Sequence, residues 1–240
     1  MVEKVIDIHN GKIYQQDHLV LFDVDLELKK GEFVFLIGKT GSGKSSLLKT
    51  LYGEATLADG TGSVAGFDLR KLKRKHVPFL RRKIGIVFQD FQLLMDRTVM
   101  ENLVFVMRAT GWKGKKAMEQ RGMEVLNLIG LGEKAYRMPH ELSGGEQQRI
   151  SIARALINKP EIILADEPTG NLDPDTSKEI MQLLVAIAGE GTAVLMATHD
   201  LSLMEQFGGR VIRVEEGKIK TLTTMKDFDP FSSGDSKREE

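Results

Sequence analysis

Residues 38 to 45 read GKTGSGKS, placing Gly38, then four residues, then Gly43, Lys44 and Ser45. That spacing is the phosphate-binding loop pattern G-x-x-x-x-G-K-[ST], whose main-chain N–H groups surround the phosphates of a nucleotide. Glycines let the backbone come close and adopt positive φ. A lysine after the last glycine reaches the β- and γ-phosphates as a point charge, and the Ser45 hydroxyl suits Mg²⁺. The candidate phosphate set is therefore Gly38, Lys39, Thr40, Gly41, Ser42, Gly43, Lys44, Ser45 and Ser46. A ligand-free corner between a strand and a helix could show the same letters. The flanks favour the nucleotide, since FVFLIG reads as a buried strand and SSLLKTLY as a helix whose positive end meets the anion.

A second group lies in IILADE, where four apolar residues put Asp166 and Glu167 at the carboxyl end of a strand. Alone, this would read as two exposed acids at a strand end. Downstream of a phosphate loop, such an aspartate holds Mg²⁺ and an adjacent carboxylate can orient or deprotonate the attacking water. A third group is LSGGEQQR, residues 142 to 149, before the helical run ISIARALI. Ser143 and Glu146 have capping-box spacing, and Gly144 and Gly145 leave the N–H groups of the first turn accessible. The chain therefore carries two anion-ready helix starts.

LSGGEQQR, GKTGSGKS, Gln89 in VFQD, DEPTGNLD and His199 in MATHD occur together in one order and spacing. In this the sequence resembles the ABC-type ATPases over about residues 1 to 220. The resemblance implies ATP and Mg²⁺ as ligands and a head-to-tail homodimer in the ATP-bound state. Ser143, Gly144 and Gly145 would then act on the γ-phosphate held by the partner's phosphate loop. It further implies Ser45, Gln89 and Asp166 around Mg²⁺, Lys44 on the phosphates and Gln89 sensing the γ-phosphate and the attacking water. Glu167 would be the general base and His199 the residue that fixes that water, although a histidine at a strand end can simply be a polar cap. Tyr14 falls where the family stacks an aromatic on adenine, with core packing as the other reading. Asp173 would lie at the dimer seam, and locally it also fits a helix N-cap before Pro174.

Within the family, VFQDFQLLMDRTVMENLVF, residues 87 to 105, is similar to the cell-division branch, with an aspartate after the glutamine and a D-R-T-V-x-E-N run. That resemblance implies an integral membrane partner of FtsX type, seated in a groove beside Gln89, and an indirect link to periplasmic or extracellular cell-wall hydrolases. The lipoprotein-releasing and macrolide-exporting branches share ADEPTGNLD and form the alternative. Lys39 and Thr40 replace small or ring residues frequent in the family's loop, and their side chains are expected to point outward.

The elements that must position these groups alternate. VIDI and FDVDLEL read as strands, the latter with Phe22, Val24, Leu26 and Leu28 on one face. ADGTGSVAGFD reads as a turn-rich connection and KIGIVFQD as a buried strand. From about Thr98 to Asn158 the period is helical. EIILAD, TAVLMATH and RVIRVEEGKI then read as strands separated by helices at DPDTSKEIMQLLVAIAG and LSLMEQFG. The expected fold class is α/β: a P-loop core with a mostly parallel sheet, an N-terminal antiparallel β-subdomain and an inserted helical subdomain at about 96–158, in one domain of residues 1–224. Residues 225–240 are polar and breaker-rich, which predicts a disordered tail.

The chain has 240 residues, 41% of them hydrophobic, with no cysteine and a formal net charge of zero. Zero net charge offers no global electrostatic case for nucleic acid. The absence of cysteine removes disulfides and thiolate metal sites. The start lacks the apolar core of a signal peptide, and no apolar run approaches a membrane span. The expected location is the cytoplasm, held to the inner face of the membrane through a partner. The run KLKRKHVPFLRRK, residues 71 to 83, concentrates positive charge and reads either as a solvated face or as a contact for anionic lipid.

Overall fold

The structure is a computed structural model that describes residues 3–222; the predicted tail lies outside the described residues. Two sheets share the chain. The first is antiparallel, in the order β2 (His18–Lys29), β1 (Lys4–Gln15), β4 (Leu57–Val64), β5 (Phe67–Asp68). The second has the order β10 (Lys218–Leu222), β9 (Arg210–Glu215), β3 (Phe33–Ile37), β8 (Ala193–Ala197), β7 (Ile162–Asp166), β6 (Ile84–Phe88). It is parallel from β9 to β6, with β10 antiparallel at its edge. The α/β class and the two-sheet plan are as the pattern implied.

Strand β3 shows why. FVFLI is apolar throughout because both of its faces are covered. Phe35 and Ile37 join a core that includes Met100, Leu103, Ile150 and Leu184. Val34 and Leu36 face the opposite way, into a core with Leu21, Val24, Leu47 and Leu51. Complete burial of each such side chain contributes about 1.5–3 kcal/mol. The helices α1 (Lys44–Leu51), α6 (Pro174–Gly189) and α7 (Leu201–Phe207) serve these cores. Between β6 and β7 come α3 (Val99–Ala109), α4 (Lys115–Leu128) and α5 (Gly144–Leu156), which pack on one another. Helix α3 starts at a capping box, Thr98 Oγ1 accepting from the Glu101 N–H while Glu101 accepts from the Thr98 N–H.

Three local readings are corrected. ADGTGSVAGFD is mostly strand: β4 pairs with β1 and turns into β5 at Ala65 and Gly66, both at positive φ. Within the strand, glycine marks close approach, for a Cβ on Gly60 would stand 2.4 Å from the His9 and Asn10 carbonyls. Phe22 is not on the buried face; Asp23 at φ 51° breaks the alternation, and Leu21 takes the core position. RVIRVEEGKI is two strands joined by a tight turn at Glu216 and Gly217, φ 50° and 75°. The basic run, to which the sequence assigned no element, forms in part a short helix, α2 (Val77–Arg82), with Pro78 in its first turn and Leu80 buried.

Candidate nucleotide-binding and hydrolysis site

The phosphate loop joins β3 to α1. Gly38, Gly41 and Gly43 have φ of 153°, 79° and 109°, and a Cβ on Gly43 would meet Val20 and Leu21 side chains at 2.8 Å. Here glycine is obligatory for both conformation and space. Helix α1 has no side-chain cap, its N-cap being Gly43, so the N–H groups of its first turn face outward with the helix dipole behind them. The Lys44 ammonium donates to the carbonyls of Gly38 (2.7 Å) and Lys39 (3.2 Å), which ties the loop's two ends together. Lys39 and Thr40 are exposed, their side chains clear of the packed interior.

Strand β7 delivers the acids. Asp166 Oδ2 accepts from Ser45 Oγ at 3.2 Å, joining residues 121 positions apart. Glu167 follows at φ 50°, its N–H donating to the Ala197 carbonyl of β8. Its Oε2 lies 2.9 Å from His199 Nδ1, just past the end of β8. Lys44, Ser45, Gln89, Asp166, Glu167 and His199 all line one cleft of about 590 Å³. An adjoining cleft of about 620 Å³ shares Gly41, Lys44 and Ser45 with it and extends to Tyr14 and Ser46. Tyr14 is 40% exposed there, so it lines the cleft instead of filling the core. Ser45 and Asp166 offer two oxygen donors side by side, which fits a hard divalent cation.

Ser143 caps α5: its Oγ accepts from the Glu146 N–H (3.2 Å) and its own N–H donates to Glu146 Oε2 (2.8 Å). That second bond, above all, holds the Glu146 carboxyl below its ordinary value. Ser143, Gly144 and Gly145 line neither cleft. A Cβ on Gly145 would stand 2.5 Å from Thr176 Cγ2. Asp173 caps α6, accepting from Thr176 Oγ1 (2.6 Å) and the Thr176 N–H (3.0 Å), and these two bonds lower its pKa. It too lines neither cleft. The geometry thus assembles one half-site and leaves the second anion-ready helix start apart from it.

Several supporting residues carried no signal of their own in the sequence. Asn171 makes a reciprocal pair with Gln89, accepting from Gln89 Nε2 and donating to its main-chain carbonyl, both at 3.1 Å. Gln148, fully buried on α5, donates to the Pro168 carbonyl at 2.5 Å and approaches that of Phe88 at 3.4 Å. Arg154 holds the carbonyls of Phe91 (2.8 Å) and Gln92, and its burial lowers its pKa from the usual value. Phe91 and Gln92 are at positive φ, so this bend after β6 is secured from α5. Each partner is far away in sequence, and only the fold pairs them.

The family model described as ABC transporter matches residues 21–170. The cell division ATP-binding protein FtsE of Streptococcus pneumoniae serotype 2 (strain D39) is 48% identical over 208 residues, 87% of this chain and 90% of that protein. FtsE of Mycobacterium tuberculosis (strain H37Rv) is 49% identical over 199 residues, 83% of this chain and 86% of that protein. Among solved structures, the dimeric structure of a post-hydrolysis state of an ATP-binding cassette bound to ADP and Pi superposes with a TM-score of 0.76. It is 36% identical, over 91% of this chain and 99% of that one. With the phosphate loop, the paired acids and the fold all agreeing, the chain belongs to the ABC transporter family, as an ATP-binding and ATP-hydrolysing subunit similar to the FtsE proteins.

Proposed function

We propose that this chain is the ATPase of a cell-division complex, coupled to an integral membrane partner of FtsX type, and that ATP-driven closure of its homodimer transmits a conformational change across the membrane to control peptidoglycan hydrolysis. The observation that carries the chemistry is the convergence of Lys44, Ser45, Asp166, Glu167 and His199 on one cleft from three separate strand ends. The similarity to the FtsE proteins supports the biological setting. Residues 1–224 act as one ABC ATPase domain with a helical subdomain at about 96–158, peripheral on the cytoplasmic face of the membrane.

In this reading the α1 N-terminus and Lys44 bind the phosphates, and Tyr14 stacks on the base. Ser45 and Asp166, with Gln89 beside them, hold Mg²⁺, which when bound neutralises charge on the phosphates. Glu167 takes the proton of the attacking water, and His199, hydrogen-bonded to it, orients that carboxylate and contacts the γ-phosphate. Ser143, Gly144 and Gly145 complete the partner's site across the dimer, with Asp173 at the seam. Their separation from the chain's own clefts supports a role in trans. Closure around two ATP molecules then converts binding energy into motion.

The test is co-purification of a tagged Glu167→Gln chain from its native cells with ATP and Mg²⁺. The expected companion is an FtsX-like protein with cell-wall hydrolase components. A lipoprotein-releasing or exporter permease in its place would overturn the cell-division role and leave the ATPase assignments standing.

A further inference from the structure

The structure divides the basic run of residues 71–83 into two sets. Lys71 pairs with Asp68 (3.4 Å) and Lys83 with Glu161 (2.8 Å). Arg81 donates from Nε to the Tyr52 carbonyl (3.1 Å), with its guanidinium over the Tyr52 ring and near Glu54. These charges are absorbed by the protein's own surface. Lys73, Arg74 and Lys75, around a 3-10 turn at Arg74–His76, are exposed, and among the described residues none of the three takes part in an ion pair or side-chain hydrogen bond. One turn further, Phe79 on α2 is 52% exposed, with the Arg82 guanidinium 5.0 Å from its ring centre. No acidic residue occurs between Asp68 and Asp90, so nothing in the segment itself offsets these three free cations.

This patch adjoins a groove of about 360 Å³ beside β6, lined by Ile86, Phe105, Val106 and Arg154 among others; Arg81, next to Arg82 on α2, lines the groove. The groove stands next to Gln89, where the proposed membrane partner would seat a cytoplasmic helix. If that reading holds, docking brings the patch to the bilayer surface, so this inference rests on it for its setting and on the patch alone for its chemistry.

We propose that the turn at Lys73–Lys75 and helix α2, with Arg82 and Phe79, bind anionic lipid headgroups. The charges meet the negative surface potential of the leaflet, and the exposed ring, flanked by cations, suits the boundary between headgroups and acyl chains. Nucleic acid is the weaker match, because the cations form a compact patch with a single aromatic instead of a charged track with stacking platforms, on a chain of zero net charge.

The test uses the full chain and protein-free vesicles of phosphatidylcholine, with and without phosphatidylglycerol, in a sedimentation assay. The wild type is expected on the anionic vesicles alone, with binding that falls as salt rises. The triple variant Lys73→Gln, Arg74→Gln, Lys75→Gln should lower partitioning on the order of a hundredfold, about fivefold for each charge. Its ATPase rate in solution should be unchanged, which reports that it is folded. Phe79→Ser should weaken binding by a smaller factor that does not depend on salt. Equal binding to both vesicle types, or wild-type partitioning by the triple variant, would overturn the proposal, as would an RNA oligonucleotide that displaces the chain from the vesicles at lower concentration than free lipid does. Because the vesicles contain no protein, their result is independent of which permease co-purifies with the chain.

Discussion

Replacing Glu167 with glutamine isolates one chemical property. The amide keeps the side chain's length and can still meet His199, whose Nδ1 now lies 2.9 Å from Glu167 Oε2. What goes is the charge and the proton acceptor, in a side chain only 19% exposed where bulk water is a poor substitute. General base catalysis typically supplies 10²–10⁴, or about 3–5 kcal/mol of barrier at 1.36 kcal/mol per decade. Phosphate release under single-turnover conditions should therefore slow by roughly 10²–10⁴. The affinity for ATP, measured by equilibrium binding, should hold, because Lys44, the loop amides and the Ser45–Asp166 pair are untouched. With hydrolysis blocked and binding intact, size-exclusion chromatography with ATP should show dimer accumulating. Phosphate release at or near the wild-type rate with intact binding would refute Glu167 as base and return the role to another group in the cleft.

Tyr14→Ala should weaken ATP binding by the worth of one base–aromatic stack, about 1–3 kcal/mol, while Tyr14→Phe stays close to wild type in a fluorescent-nucleotide titration. Asp166→Asn should raise the Mg²⁺ concentration needed for half-maximal hydrolysis, and an unchanged Mg²⁺ dependence would remove Asp166 from the metal. Ser143→Ala should cost about 1 kcal/mol of stability in chemical denaturation through loss of the α5 cap, besides any loss of activity. The same cap has a pH signature. Because the folded state lowers the Glu146 pKa, its contribution is complete above the ordinary value of 4.5 and is lost as pH falls through the lowered value. Glu146→Gln should flatten that acid-side decline in thermal melting, and a decline identical to wild type would show that the cap carboxylate does not contribute to it.

The catalytic groups were legible in the sequence because each sits in a short stretch with its own local logic. Three glycines before Lys44-Ser45, two acids after IILA, and Ser143 three residues ahead of Glu146 dictate backbone conformations or caps that need no distant partner. Where the local rule had a second explanation, the sequence misled. The glycines at 60 and 62 look like turn residues, yet they serve a strand that lies too close to its neighbour for a side chain. Phe22 fits the alternation, and a single residue at positive φ moves Leu21 into its place. The hairpin at Glu216-Gly217 reads as one strand because a two-residue turn barely interrupts the pattern.

By itself the sequence determined the chemistry and the class of fold: a phosphate loop between a buried strand and a helix, acids at a strand end, a second anion-ready helix start, and an alternation of elements that only a covered parallel sheet accommodates. Tertiary structure alone decided which of these groups share a cleft. Ser45 and Asp166 meet because β3 and β7 both flank β8 in a parallel sheet, so their carboxyl ends open on the same edge. Tyr14 reaches the same loop from the antiparallel sheet, while Ser143 to Gly145 stay apart from it. The bonds from Gln148 and Arg154 to the Phe88 and Phe91 carbonyls likewise exist only once α5 has packed beside β6, and the Asn171–Gln89 pair only once β6 and β7 lie side by side. Local spacing encodes what a residue can bind, but proximity between residues far apart in the chain follows from strand order and packing, which no short stretch of sequence carries.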